Sequence, residues 1–362
     1  MITISLCMIV KNEENNLPRC LNSIKDLVDE IVIVDTGSTD KTVEIAQQFT
    51  ERVFHFTWVN SFAKARNYAF SLATQEYILF LDADDVLLEE DRKKFKQLKE
   101  TLDPAVDGVS MIYQTGFDQY GNVTLRYRRN RLTKREKKFQ WIGDIHEYLD
   151  VRGFIINSDV AVTHKKEGKQ ESRGRNRSIF EEKLERGDVF TERDYFYYGN
   201  ELREHGHYQK SIENYKKSLE IKEGWAEDKV FACIYMGDCY RLLENLDEER
   251  NSLLTSFHYG PPRAEAVSRL GYNFLQRQEY RTAIFWYDLA TRLKPDPDQL
   301  SFSFPALSTW YPHLHMCVAY FRLGEYEKAY VHNEEARKYR PEDPSILHNK
   351  KMLEEKLGLQ PS

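Results

Sequence analysis

The sequence predicts two folds in one chain: an α/β domain with a mostly parallel sheet, followed by an all-α domain of helical repeats. Three observations carry this. Strand and helix patterns alternate through roughly the first 100 residues, as the βα units of a parallel sheet do. One apolar run, Tyr77–Leu81, passes directly into Asp82, Asp84 and Asp85. The second half of the chain repeats itself.

Ile2–Val10 reads as the first strand, since it lacks the basic region and small-residue cleavage site of a secretion signal. Lys11–Asn16 is a polar loop. Leu17–Leu27 has its apolar residues at helical spacing (Leu17, Cys20, Leu21, Ile24, Leu27). Glu30–Asp35 is a second buried strand ending in acid, and Thr36–Asp40 a turn rich in hydroxyls. A helix over Thr42–Phe49, a strand over Arg52–Trp58 and a helix over Ser61–Ala73 follow, the last with small residues on one face. Tyr77–Leu81 is the fourth strand, and a charged helix runs from about Glu89 to Leu102. From Gly108 to about Ala161 the pattern reads as short strands and loops.

A second regime begins near Arg173. Gly199, Gly237, Gly271 and Cys317 are each followed nine residues later by Tyr208, Leu246, Tyr280 and Tyr326. In three units a proline comes fifteen residues after that: Pro261, Pro295 and Pro341. A small residue in a first helix, an aromatic opening a second and a terminal proline resemble the tetratricopeptide repeat. Four units with two insertions are predicted, the longer insertion around 296–312. The expected boundaries are 1–170 for the α/β domain, 171–192 for a linker helix and 193–358 for the repeats.

Hydrophobic content of 41% and charged content of 30% suit a soluble globular protein of 362 residues and argue against disorder. The net charge of −6 excludes a general nucleic-acid binder, although Arg126–Lys138 and Lys165–Arg177 are locally basic. No apolar run approaches the ~18 residues of a membrane span. Five scattered cysteines, odd in number, point to reduced buried thiols and a cytoplasmic protein. A dinucleotide-binding oxidoreductase is excluded because no Gly-x-Gly-x-x-Gly follows the first strand.

Acid at the end of a buried strand has little packing logic. It has functional logic, because open α/β sheets bind ligands at the carboxyl ends of their strands. Asp82 and Asp84 there can hold a divalent cation, and the cation a diphosphate. Asp85 reads as a cap of the following helix. Asp35 is either a turn or cap residue or a carboxylate accepting a hydrogen bond from a nucleobase; Ser38, Thr39 and Asp40 look like turn or cap residues. Arg66, in a helix of small residues just before the acidic strand, suits an ion pair near the site or a phosphate contact. Asp144, His146 and Glu147 lie in a run otherwise apolar, Trp141 to Tyr148. A displacement needs a base opposite its leaving group, and Glu147 or Asp144 can serve; a loop salt bridge is the alternative. His164 ends a strand-like run as a structural histidine or as a third ligand, since imidazole suits Mn²⁺.

The ordered set Ile-Val-Lys-Asn-Glu (9–13), Ile-Val-Asp-Thr-Gly-Ser-Thr-Asp (33–40), Phe-Ala-Lys-Ala-Arg-Asn (62–67), Phe-Leu-Asp-Ala-Asp-Asp (80–85) and Ile-His-Glu (145–147) resembles family 2 glycosyltransferases of the GT-A fold, over about residues 1–165. With the repeats added, the layout is similar to bacterial peptide glycosyltransferases that modify glycocins. That resemblance implies inversion at the anomeric carbon, a UDP-sugar donor with UDP-glucose favoured, and Mn²⁺ or Mg²⁺. It implies nucleotide contacts from Lys11, Asn12, Glu13, Asp35 and Ser38, a ribose or diphosphate contact from Asp82, and metal ligation by Asp84 and His164 with Asp82 beside them. Asp144 has no counterpart in the sublancin enzyme of that group, which favours Glu147 as the base. That enzyme also has an N-terminal extension with no match here, which leaves the acceptor open. The implied acceptor is a peptide or protein side chain (Cys, Ser or Thr). The aromatic first helices of the repeats (Tyr195, Tyr197, Tyr198, Tyr235, Tyr240, Tyr272, Phe274) are expected to recognise it or to pair two chains. Two other readings are transfer to a cell-envelope glycan or lipid, and a non-catalytic repeat scaffold. Intact acidic and His-Glu motifs speak against the scaffold.

Overall fold

Continuous apolar strands are buried on both faces where both sides of the sheet are covered, and the first strands here are built that way. The computed structural model describes residues 1–165, 174–294, 298 and 300–359. The chain divides into two compact units. The first is Met1–Gly116, Leu125–Ile179 and Asp298–Phe302; the second is Phe117–Thr124, Phe180–Pro297 and Ser303–Ser362.

In the first unit the order is β1 (Ile4–Val10), α1 (Leu17–Ile24), β2 (Glu30–Asp35), α2 (Thr42–Ala46), β3 (Val53–His55), α3 (Phe62–Ser71), β4 (Tyr77–Phe80), β5 (Asp85–Val86), α4 (Glu89–Thr101), β6 (Gly108–Gln114), β7 (Arg126–Lys134), β8 (Trp141–Ile142), β9 (Tyr148–Leu149) and β10 (Ile155–His164). Eight strands form one sheet in the order β3-β2-β1-β4-β7-β6-β10-β5, and β8 and β9 make a separate ribbon. β3, β2, β1 and β4 are mutually parallel; β7 joins β4 antiparallel. This is the mostly parallel sheet the βα alternation predicts, in the GT-A-like form the resemblance implies. Ile4, Leu6, Met8 and Val10 of β1 pack with Leu17, Leu21 and Ile24 of α1 and Phe95 of α4. Cys7, from the opposite face of β1, packs with Ala69 and Phe70 of α3 and with Trp141. The two side-chain directions of a strand thus serve two cores.

Three expectations need correction. The stretch from Gly108 to Ala161 is not short strands and loops: β6, β7 and β10 are seven, nine and ten residues long and supply the second half of the sheet. β7 hides from hydropathy because it is Arg-rich, and two of its arginines, Arg129 and Arg131, face the carboxylates of Asp82 and Asp85. The helix expected over Thr42–Phe49 stops at Ala46. Asp85 caps no helix, since the residue before α4 is Leu88, without a side-chain cap; Asp85 lies in β5.

α5 (Arg175–Glu185) begins in the first unit and ends in the second, where the described residues form four helix pairs: α6 (Glu192–Glu204) with α7 (Tyr208–Glu220), α8 (Ala226–Leu242) with α9 (Leu246–Thr255), α10 (Ala264–Gln276) with α11 (Tyr280–Arg292), and α12 (Trp310–Arg322) with α13 (Tyr326–Arg337). A last helix, α14 (Pro344–Leu357), is capped by the Asp343 carboxylate, which accepts the Ser345 and Ile346 N–H groups. The small-residue markers have a steric cause. A Cβ on Gly199 would lie 2.6 Å from the ring of Tyr215, and one on Gly271 would lie 2.8 Å from that of Tyr287. Both partners stand sixteen residues on, in the second helix of the pair, and Gly237 faces Leu253 at the same offset. The turn between the two helices has a left-handed residue seven positions after each marker: Gly206, Glu244, Gln278 and Gly324. Pro295 and most of the basic stretch Lys165–Arg177 (166–173) lie outside the described residues. The five cysteines are buried and unpaired. Among the described residues no helix is long and apolar enough to cross a membrane.

Candidate active site

Parallel register brings the ends of β1 and β2 level, with Val10 opposite Asp35, and β4 ends on the other side of β1, with Phe80 opposite Cys7. The loops after these strands carry the predicted donor-binding residues. Asp35 is buried, and its carboxylate accepts the N–H of Gly37 (3.0 Å) and of Ser38 (3.1 Å), so it closes its own turn. Asn12 adopts a left-handed conformation (φ 55°). It braces this turn, its N–H donating to Ser38 Oγ (2.9 Å) and its Oδ1 accepting from Thr39 N–H (2.8 Å). Glu13 N–H donates to Thr42 Oγ1 at 2.7 Å, and Lys11 is exposed. Lys11, Asn12, Glu13, Asp35 and Ser38 therefore meet at one edge, although Asp35, Asn12 and Ser38 spend polar atoms on each other's loops.

A tight turn follows β4, in which Asp85 N–H donates to Asp82 O and Asp82 N–H to Asp85 Oδ2, both at 3.0 Å. It sends the carboxylates in different directions. Asp82 Oδ1 accepts from an Arg66 terminal nitrogen at 2.6 Å, and its Oδ2 lies 3.4 Å from Arg129. Burial alone would raise the pKa of Asp82. Arg66, Arg129 and Arg131 override it and hold the group well below the usual carboxylate range. Asp85, fully buried, pairs with the equally buried Arg131 at 2.8 Å. Burial pushes its pKa up against the opposing charge of Arg131. Asp84 lies 3.3 Å from His164 Nδ1, and this hydrogen bond, above the other influences, raises the histidine pKa. The antiparallel register of β5 and β10, which sets His164 opposite Asp85, is what brings the histidine here.

Asp84, Asp85 and His164 can each offer a ligand atom, all within 4.8 Å of one another, and no other such group occurs among the described residues. Asp85 Oδ1 is buried without a hydrogen-bond partner, as a group awaiting a cation would be. Two carboxylate oxygens and one imidazole fit a hard divalent ion such as Mn²⁺. Asp82, expected beside Asp84 as a ligand, is instead held by two guanidiniums, and Asp85 stands in its place. The turn is the reason: it swings Asp84 and Asp85 towards β10 and leaves Asp82 facing Arg66.

Arg66 joins two parts of the site. Its Nε donates to Glu147 Oε1 at 2.7 Å while its other arm holds Asp82. Burial disfavours its charge, but Asp82 and Glu147 outweigh that and raise its pKa. The guanidinium lies over the ring of Trp141, 4.8 Å from the centroid. Glu147 follows His146, a non-glycine residue at φ 49°, and Gly143 at φ 98° opens the same loop. Backbone held in sparsely populated conformations beside a buried carboxylate marks a place where position is worth strain. Asp144 contributes its backbone oxygen to Phe62 N–H at 2.8 Å, and its carboxylate stays out of the Arg66 network. Trp141 and Ile145 of the same run are buried, and Tyr148 is exposed.

Sequence reasoning missed Arg129, Arg131 and Tyr113. Tyr113 OH lies 3.2 Å from His164 Nδ1, and its ring sits under the guanidinium of Arg131 (4.4 Å). Arg131 is the extra residue of a bulge, because Val109 pairs with Leu132 while Ser110 pairs with Asn130. A usable signal existed: arginines inside a strand must be paired, and the acidic strand end was the natural partner.

Residues 5–177 match the family model described as Glycosyl transferase family 2. A TPR repeat-containing protein of Synechococcus elongatus is 37% identical over 150 residues, 41% of this chain and 36% of that protein. The SPbeta prophage-derived glycosyltransferase SunS of Bacillus subtilis is 28% identical over 232 residues, 59% of this chain and 54% of the relative. The chain thus spans about half or less of the length of these relatives. A solved structure, MamA, aligns with 44% of this chain and 85% of its own at TM-score 0.37 and 20% identity.

Proposed function

We propose that the chain, whose residues 5–177 match the family 2 glycosyltransferase model, moves a sugar from a UDP-sugar, UDP-glucose favoured, to a Cys, Ser or Thr side chain of a peptide, inverting the anomeric carbon. The observation that carries this is the juxtaposition at the end of β4. The Asp84–Asp85–His164 group suits a cation, and beside it Arg66 ties Asp82 to Glu147. Lys11, Asn12, Glu13, Asp35 and Ser38 hold the nucleotide at the ends of β1 and β2. Asp84, Asp85 and His164 would hold a divalent ion, whose contribution is to neutralise charge on the departing diphosphate.

Glu147 is the base. It takes the proton of the acceptor thiol or hydroxyl, the freed lone pair forms the bond to the anomeric carbon, and the bond from that carbon to the diphosphate oxygen breaks, releasing UDP. Arg66 fixes the Glu147 carboxylate by its Nε–H while Trp141 and Ile145 exclude water from that side. The resemblance to glycocin-modifying enzymes, together with four helix pairs of the kind that present extended surfaces to peptides, supports a peptide acceptor.

The test is UDP release by the purified protein from UDP-glucose, UDP-galactose and the N-acetyl sugars, with and without Mn²⁺. Turnover of one donor, stimulated by the ion, is expected. Failure with every donor in both conditions would overturn the reading.

A further inference from the structure

The repeat unit holds a second charged cluster, and two of its guanidiniums are left without a hydrogen bond to acid. Asp238 follows the marker Gly237 in α8. Arg269 of α10 forks onto it at 2.8 and 3.0 Å and occupies both carboxylate oxygens. Two further guanidiniums close on the same carboxylate without bonding to it: Arg203 of α6, 3.8 Å from Oδ2, and Arg241 of α8, 3.9 Å from Oδ1. Arg203 Nε is buried with no hydrogen-bond partner. Its guanidinium is held over the ring of Tyr235, 4.1 Å from the centroid. Arg241 lies over Tyr272 at 5.8 Å and reaches no nearer than 3.8 Å to Glu249.

Of the three guanidiniums that face Asp238 and the buried Glu249 and Glu265, only Arg269 is hydrogen-bonded to acid, and Arg203 and Arg241 come no nearer than 3.8 Å. A guanidinium carries five donors in a rigid fork that matches a carboxylate. Two such forks, about two-thirds or more buried (24% and 36% exposed) and pinned by aromatic rings, flank a carboxylate that is already satisfied. The cluster draws on the first helices of three successive repeats, α6, α8 and α10, and Tyr235 and Tyr272 extend it with aromatic surface.

We propose that Arg203 and Arg241 bind a carboxylate side chain in an acidic segment of the peptide acceptor. This rests on the reading of the acceptor as a peptide. The chain's net charge of −6 repels a polyanion such as nucleic acid, while a short acidic segment needs only the local match. The ring faces beside the guanidiniums suit peptide side chains and backbone.

The experiment is fluorescence anisotropy of the full chain with a short labelled Glu-rich peptide and with the same peptide in which every Glu is Gln. The Glu form is expected to bind about tenfold tighter, with the preference shrinking as salt rises. Arg203→Gln with Arg241→Gln should abolish the preference, and Arg241→Gln alone, at the more exposed position, should cut it about threefold. Donor hydrolysis should be unchanged in both variants. Equal affinity for the two peptides, or a preference untouched by Arg241→Gln, overturns the proposal. Displacement of the Glu peptide by inorganic phosphate at concentrations where free glutamate has no effect would make this a phosphate site and overturn the peptide assignment. The two readings fail separately. Donor hydrolysis without peptide preference sinks this proposal alone. An Arg241-dependent preference without hydrolysis of any donor keeps the carboxylate site and sinks the transferase reading.

Discussion

Glu147→Gln separates the chemistry from the architecture that holds it. The substitution removes a charge and keeps the shape. The Glu147 side chain is 9% exposed and accepts from Arg66 Nε at 2.7 Å. A glutamine oxygen can accept the same N–H, and Arg66 keeps its second partner, Asp82, at 2.6 Å. Folding therefore loses only the difference between a charge-assisted and a neutral hydrogen bond, about 1 kcal/mol. Transfer loses its proton acceptor, typically 10²–10⁴ in rate, or about 3–5 kcal/mol of barrier. Three measurements resolve these terms: the unfolding midpoint, the affinity for UDP, and the initial rate of transfer. Expected are a small fall in midpoint, UDP affinity within a few-fold, and the large fall in transfer. If the acceptor is a cysteine, the deficit should narrow as pH approaches the thiol's ordinary value near 8.5, since the thiolate then needs no base. Asp144→Asn is the control, because that carboxylate stays out of the Arg66 network. A collapse of UDP affinity together with transfer in Glu147→Gln would make the residue a binding group. A greater loss at Asp144 than at Glu147 would reverse the assignment.

The remaining predictions divide stability from activity. Asp84→Ala should abolish ion-stimulated turnover with little change in melting. Asp85→Asn should instead destabilise by about 3–5 kcal/mol, because it leaves the fully buried Arg131 unpaired; a mild effect would mean that Arg131 finds another partner. In the repeats, Gly271→Ala should cost about 1–3 kcal/mol by driving a Cβ to 2.8 Å from the Tyr287 ring, read as a lower unfolding midpoint. Gln278→Gly should raise that midpoint by the equivalent of about 0.5–1 kcal/mol, since the residue sits at φ 60°. Asp228 is pushed by burial up to about 7, with Arg193 opposing. Its raised pKa contributes stability that is full below the ordinary carboxylate value of 3.8 and is lost as pH rises towards 7. The repeats should therefore melt lower at pH 7 than at pH 5, and Asp228→Asn should flatten that slope; an unchanged slope would refute the assignment.

What could be read in advance depended on the range of the forces involved. Local periodicity was enough for β1, α1, β2, α3 and β4, because their burial patterns are written in consecutive residues. The repeats were legible for a related reason. Each marker glycine is required by a residue sixteen positions on, so the constraint recurs at a fixed interval. β7 was illegible, because Arg126–Lys134 is polar by composition and becomes a strand only where the acidic end of β4 supplies its counter-charges.

The site divides along the same line. The sequence by itself determined that acid would stand at the carboxyl end of a buried strand, that Arg66 would lie close by, and that a His-Glu pair would follow; these are facts of order along the chain. Only the tertiary structure decided which carboxylate does what. Asp82, Asp84 and Asp85 are nearly adjacent in sequence, yet one tight turn gives Asp82 to Arg66 and Arg129, Asp85 to Arg131, and Asp84 to His164. The partners arrive from α3, β7 and β10, 16 to 80 residues away. Charge pairing of that kind acts through space at hydrogen-bond distance, and no local pattern encodes the register and the bulge that bring the partners within it.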